Sequence, residues 1–75
     1  MSRLGNVSGK AAVVAFQKAG WIYRGQVGSH AVLTKEGSSV NLSIPQHKEL
    51  GIGILRALIK HAGLTVEEFR ALLSL

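Results

Sequence analysis

In Ser39-Val40-Asn41-Leu42-Ser43-Ile44 polar and apolar side chains alternate without a break, and Pro45 follows. Alternation at period two is the mark of a strand. One face of this strand is apolar and the other carries hydroxyl and amide groups, so the sheet it belongs to is covered on one side only. Proline has no N–H to give to a ladder and ends the strand. The chain has 75 residues and no cysteine. That length makes a single domain, residues 1–75, with a thin core of the kind that often needs a metal, a disulfide or a partner to be secure, and the lack of cysteine excludes disulfides and thiolate-bound metal. A cysteine-free composition fits a reducing compartment, and a cytoplasmic location is expected. No apolar leader stands at the N-terminus, where Gly5, Asn6 and Ser8 interrupt early, and the longest apolar stretch is far short of a membrane span.

The remaining elements follow from periodicity and end signals. Ser8 is placed to cap a helix running to about Ala19, with Ala12, Val13, Phe16 and Ala19 as its apolar stripe and Gly20 just past its end. Trp21 to about Gln26 and His30–Lys35 read as strands, with Gly25 and Gly28 at the turn between them. Glu36-Gly37 supplies a tight turn into Ser39–Ile44. Ile54, Leu55, Leu58, Ile59 and Ala62 mark a second helix, ended by Gly63. Thr65-Val66-Glu67-Glu68 spells a capping box, with Leu64 and Phe69 at the staple positions, so a short third helix follows. The expected fold class is α+β: a two-layer α-β-β-β-α(-α) arrangement, with a three-stranded antiparallel sheet and its helices on one face.

Charge divides the chain. The formal net charge is +5. Residues 1–35 carry Arg3, Lys10, Lys18, Arg24 and Lys35 and no acid, whereas Glu36, Glu49, Glu67 and Glu68 fall later, balanced by Lys48, Arg56, Lys60 and Arg70. An acid-free basic half suits a polyanion such as nucleic acid, or an acidic protein; a merely soluble basic surface is the plainer alternative. Lys10 falls in the first turn of a helix, where the dipole disfavours a cation. It is either a tolerated cost or, with the free amides of that turn, an attraction for phosphate.

Three histidines supply the only side chains whose ordinary titration range lies near neutral pH. His30 follows Gly28-Ser29 at the mouth of a strand. As a general base it could take the proton of an RNA 2′-hydroxyl, which then attacks the neighbouring phosphate, with nearby cations stabilising the developing charge. An ordinary surface histidine is the competing account. His47, in Pro45-Gln46-His47-Lys48, either meets phosphate beside Lys48 or hydrogen-bonds its own loop. His61 belongs to the last turn of the second helix, where the dipole favours it. The histidine spacings match no familiar zinc site. The chain lacks aspartate, so a Ser-His-Asp triad is impossible, and Ser29 and His30, as strand neighbours, would point to opposite faces. Nine glycines form neither a dinucleotide fingerprint nor a P-loop.

Taken in order, Ser8-Gly9-Lys10, Ala19-Gly20-Trp21, Gly28-Ser29-His30, Ile44-Pro45-Gln46-His47, Gly53-Ile54-Leu55-Arg56, Ala62-Gly63-Leu64 and Glu67-Glu68-Phe69 resemble the HicA toxin family over nearly the whole chain. The resemblance implies a double-stranded-RNA-binding-domain-like fold and the activity of a ribosome-independent mRNA interferase, an endoribonuclease without metal or other cofactor. It implies His30 as the catalytic residue; from the placement of the charges, RNA contacts are expected from Lys10, Arg24, Ser29, Lys35 and Lys48, and no membrane association is expected. It also implies a toxin that is monomeric when free and hetero-oligomeric with a HicB-type antitoxin, which is expected to be acidic and to cover His30. Two positions depart from the pattern: Val27 stands where the family often has a basic residue, and Ala31 where many members have a second histidine. Phosphate attraction near His30 then rests on Arg24, Lys35 or Lys10. A non-catalytic RNA-binding module of the same fold is the alternative, and a domain that only docks an acidic protein is a third.

Overall fold

Helix ends that carry a capping signal are set locally and come out where that signal stands, whereas the second helix begins at Ile52, before the expected Ile54, with no side-chain cap. A computed structural model describes residues 4–75, so Arg3 of the basic half lies outside the described residues. Helix α1 spans Gly9–Lys18, and the Ala11 amide donates to the Ser8 hydroxyl at 3.0 Å. Helix α2 spans Ile52–His61 and helix α3 Val66–Ser74. Both halves of the capping box form: Glu68 N–H donates to Thr65 Oγ1 at 3.0 Å and Thr65 N–H to Glu68 Oε1 at 2.8 Å. Helices α1 and α2 stop in the same way. The amides of Gly20 and Trp21 reach back to the carbonyls of Gln17 and Phe16, and those of Gly63 and Leu64 to Lys60 and Ile59. This is the Schellman closure, in which a left-handed glycine turns the chain and the next apolar residue packs back on the helix. Trp21 is therefore a helix-closing core residue rather than the first residue of a strand.

Strands β1 (Ile22–Val27), β2 (His30–Thr34) and β3 (Leu42–Pro45) form one antiparallel sheet with β2 in the middle. Between β1 and β2 the turn has two residues. Gly28 has φ +61° and Ser29 is not left-handed, the pattern of a type II′ turn, which suits the twist of a hairpin. The second connection departs from expectation. Glu36-Gly37 does turn the chain, with Ser38 N–H on the Lys35 carbonyl, but residues 35–41 all lie outside the strands. The Ser38 hydroxyl bonds both the N–H and the carbonyl of Val40, which takes that residue out of the ladder and leaves it 41% exposed. Serine competing for local backbone groups in this way shortens strands. Only the second half of the alternating segment is strand.

Ala31 and Leu33 of β2 and Leu42 and Ile44 of β3 face the helices. They meet Ala12, Ala15 and Phe16 of α1 and Leu55, Leu58 and Ile59 of α2. Ile54, expected on the apolar face of α2, is 49% exposed, because the i, i+3, i+4 set from Leu55 defines the buried stripe. Helix α3 packs against α1 and α2 through Phe69, whose ring lies 5.0 Å from that of Phe16 at 44°. Lys18 Nζ donates to the Leu72 carbonyl at 3.3 Å and ties the end of α1 to the end of α3. The result is an α+β, α-β-β-β-α-α domain of two layers, in the arrangement of a double-stranded-RNA-binding-domain-like fold. None of the described helices is long and apolar enough to cross a membrane.

Candidate functional site

His30 is the first residue of β2, directly after the Gly28-Ser29 turn. Its neighbour Ala31 is buried, so by alternation the imidazole projects from the opposite, open face of the sheet, where His30 is exposed. Its cross-strand partners are Val27 on β1 and Pro45 on β3. The imidazole is thus fixed at its base by the central strand and open to solvent at its tip. Val27 is 70% exposed and shares that face. The two departures from the family pattern therefore differ in kind. Position 27 lies beside the imidazole, whereas position 31 points into the core, where Ala31 packs without touching the open face.

One step beyond the His30–Pro45 pair, the Gln46 amide donates to the Ser29 carbonyl at 2.7 Å. The segment that follows is clamped against the start of α1. Gly9 N–H donates to the His47 carbonyl at 3.0 Å, Leu50 N–H to the Val7 carbonyl at 2.7 Å, and the Gln46 side-chain amide to the Ile44 carbonyl at 3.0 Å. The backbones approach so closely that a Cβ on Gly9 would overlap the Pro45 carbonyl oxygen and crowd Gln46 Cα at 2.9 Å. The turn before β2, the loop after β3 and the first turn of α1 are thereby one assembly. Ser8, Lys10, Gln46, His47 and Lys48 line a depression of 390 Å³ at its surface. The amides of Gly9 and Ala11 are already engaged by His47 and Ser8, so what this helix end offers an anion is mainly the Lys10 side chain.

The sequence-derived RNA contacts divide into two groups. Ser29 adjoins His30, and Lys10 and Lys48 come together at the clamped loop. Arg24 and Lys35 lie toward the other end of the sheet. Arg24 sits at a bulge in β1 and its Nε donates to Thr34 Oγ1 at 2.9 Å, about 13 Å along β2 from His30. Lys35 follows β2 at about 17 Å, where its Nζ is held over the Trp21 ring at 6.0 Å and fills the notch beside Gly20. His61 lines a separate depression there with Trp21 and Lys35. Among the described residues no three His, Asp or Glu side chains converge as metal ligands. The association of His47 with Lys10 is the feature that sequence reasoning missed. Its one signal is a glycine, a poor helix former, directly after the Ser8 cap.

A small basic α+β domain that presents one histidine from the lip of a hairpin, beside a clamped cationic loop, is the class of protein this geometry defines. Among family models, residues 9–64 match the one described as HicA toxin of bacterial toxin-antitoxin. The match runs from the first residue of α1 past the end of α2 and takes in Gly28-Ser29-His30 and the loop after β3. The chain belongs to the HicA toxin family. No curated protein matches it significantly.

Proposed function

We propose that this toxin is an endoribonuclease of the mRNA-interferase kind that cuts message without a ribosome and without a metal, with His30 as its catalytic residue. The observation that carries the reading is the placement of His30, an exposed imidazole on a rigid strand end within the span that matches the family. An imidazole so held takes the proton of a 2′-hydroxyl as general base. The freed oxygen attacks the adjacent phosphorus, the bond to the 5′-oxygen breaks, and that oxygen collects a proton as it leaves. Cations stabilise the charge that builds on the phosphoryl oxygens. Ser29 beside the imidazole, and Lys10 and Lys48 at the loop that follows the His30–Pro45 pair, hold the RNA on one side, and Arg24 and Lys35 hold it farther along the sheet.

The partner that silences such a toxin is a HicB-type antitoxin, acidic to match the +5 charge and seated over His30. Exposed Val27 beside the imidazole gives that partner an apolar foothold. The free toxin is monomeric, acts in the cytoplasm and joins a hetero-oligomer with the antitoxin. The deciding experiment compares purified wild type and His30→Ala on a defined RNA in the presence of a chelator. Cleavage by wild type and none by the variant is the expected result. An equally active His30→Ala variant would sink the assignment of His30, and wild type that binds RNA without cutting it would make the protein a binding module.

A further inference from the structure

We propose that Lys10, His47 and Lys48 form a phosphate seat that grips the RNA backbone beside the bond addressed by His30. The inference rests on the ribonuclease reading for the identity of its ligand. The three side chains come from two segments far apart in sequence and meet at one depression, which Ser8 and Gln46 complete with a hydroxyl and an amide. No carboxylate lines it; Glu49, next in the chain, does not take part. Two exposed lysines and an exposed imidazole bound the depression with nothing acidic among them, which suits a phosphodiester anion.

The seat is rigid because its backbone is pinned. Gly9 permits the approach of α1 to Pro45 and Gln46, and the His47 carbonyl is bound to the Gly9 amide. It is also held in register with the imidazole, since Pro45 pairs with His30 and the Gln46 amide is bound to the Ser29 carbonyl. Cross-strand spacing and a two-residue advance put the backbones of His30 and His47 within about 10 Å of each other, which suits a neighbouring phosphate of the same strand. Lys35 has no comparable position, because its amine is drawn over Trp21.

The test uses full-length protein in a His30→Ala background, so that RNA is bound and not consumed. Affinity for a short single-stranded RNA is measured by anisotropy across a salt series for His30→Ala alone and with Lys10→Ala/Lys48→Ala, with His47→Gln, or with Lys60→Ala. Removing one cation that neutralises a phosphate flattens the slope of log K against log salt by about 0.7. The double lysine variant is therefore expected to lose about 1.4 from the slope, His47→Gln to bind severalfold more weakly, and Lys60→Ala, a single charge removed on distant α2, to stay unchanged. With His30 restored, Lys10→Ala/Lys48→Ala should raise KM more than it lowers kcat. An unchanged slope in the double variant, an equal loss in Lys60→Ala, or a loss confined to binding of an acidic protein partner would overturn the seat. The two readings fail separately: wild type that cleaves RNA while the double variant keeps its slope defeats only the seat, whereas a flattened slope without cleavage by wild type defeats only the nuclease.

Discussion

Lys10 carries a local electrostatic conflict. It occupies the first turn of α1, where no acid is present and the helix dipole is positive. Lys10→Glu exchanges an unfavourable charge for a favourable one and is expected to stabilise the fold by about 1 kcal/mol, seen as a melting temperature about 5 °C higher. The same variant should bind RNA more weakly than wild type. A variant that is both more stable and equally tight in RNA binding would show that Lys10 contributes nothing to recognition. The charge and position of Lys10 are plain in the sequence, because a cap serine two residues earlier sets the helix register. That its neighbours are His47 and Lys48 is not, since their meeting follows from a backbone approach which only the bare Cα of Gly9 allows.

Among the elements, the β1–β2 hairpin matters most for chemistry, because it sets the imidazole on the open face. Val27 and His30 face each other across a two-residue turn, so a cation at position 27 would lie beside the imidazole. Val27→Lys is expected to steepen the salt dependence of RNA binding by about 0.7 and to raise kcat/KM in a cleavage assay at low salt. No gain in either would mean that substrate does not cross this side of the hairpin. Capped helix ends were legible, from Ser8 and Thr65 at the starts to Gly20 and Gly63 at the finishes, because a cap is satisfied by residues a few positions apart, whereas α2 begins at Ile52 behind Gly51 without a side-chain cap and its start carried no such signal. Strand ends were less so. The alternation from Ser39 announced six strand residues, but Ser38 captures the backbone of Val40 and the ladder begins only at Leu42. Trp21 resembles a strand residue by type, yet its amide closes the α1 turn by bonding the Phe16 carbonyl.

At the scale of the whole molecule, three helices and one covered sheet face share a single small core, and α3 joins it chiefly through Phe69, beyond the family-matched span. Phe69→Ala should cost about 3–5 kcal/mol, a large part of the roughly 4–11 kcal/mol expected for a chain of this length. Urea unfolding should show the midpoint collapsing, and a destabilisation under about 1 kcal/mol would mean that α3 is only loosely docked. The sequence by itself determined the element order, the α+β class and the basic first half, because caps, periodicity and residue chemistry act over a few positions, while only the resemblance to a family set His30 apart from the other histidines. The tertiary structure alone decided how the cations group: Lys10 and Lys48 meet His47 at the depression beside the loop after β3, whereas Arg24 bonds Thr34 and Lys35 lies over Trp21 toward the other end of the sheet. The physical reason is that such neighbourhoods depend on long-range backbone approaches, here the clamp of the loop after β3 onto Gly9, which leave no periodic trace in the chain.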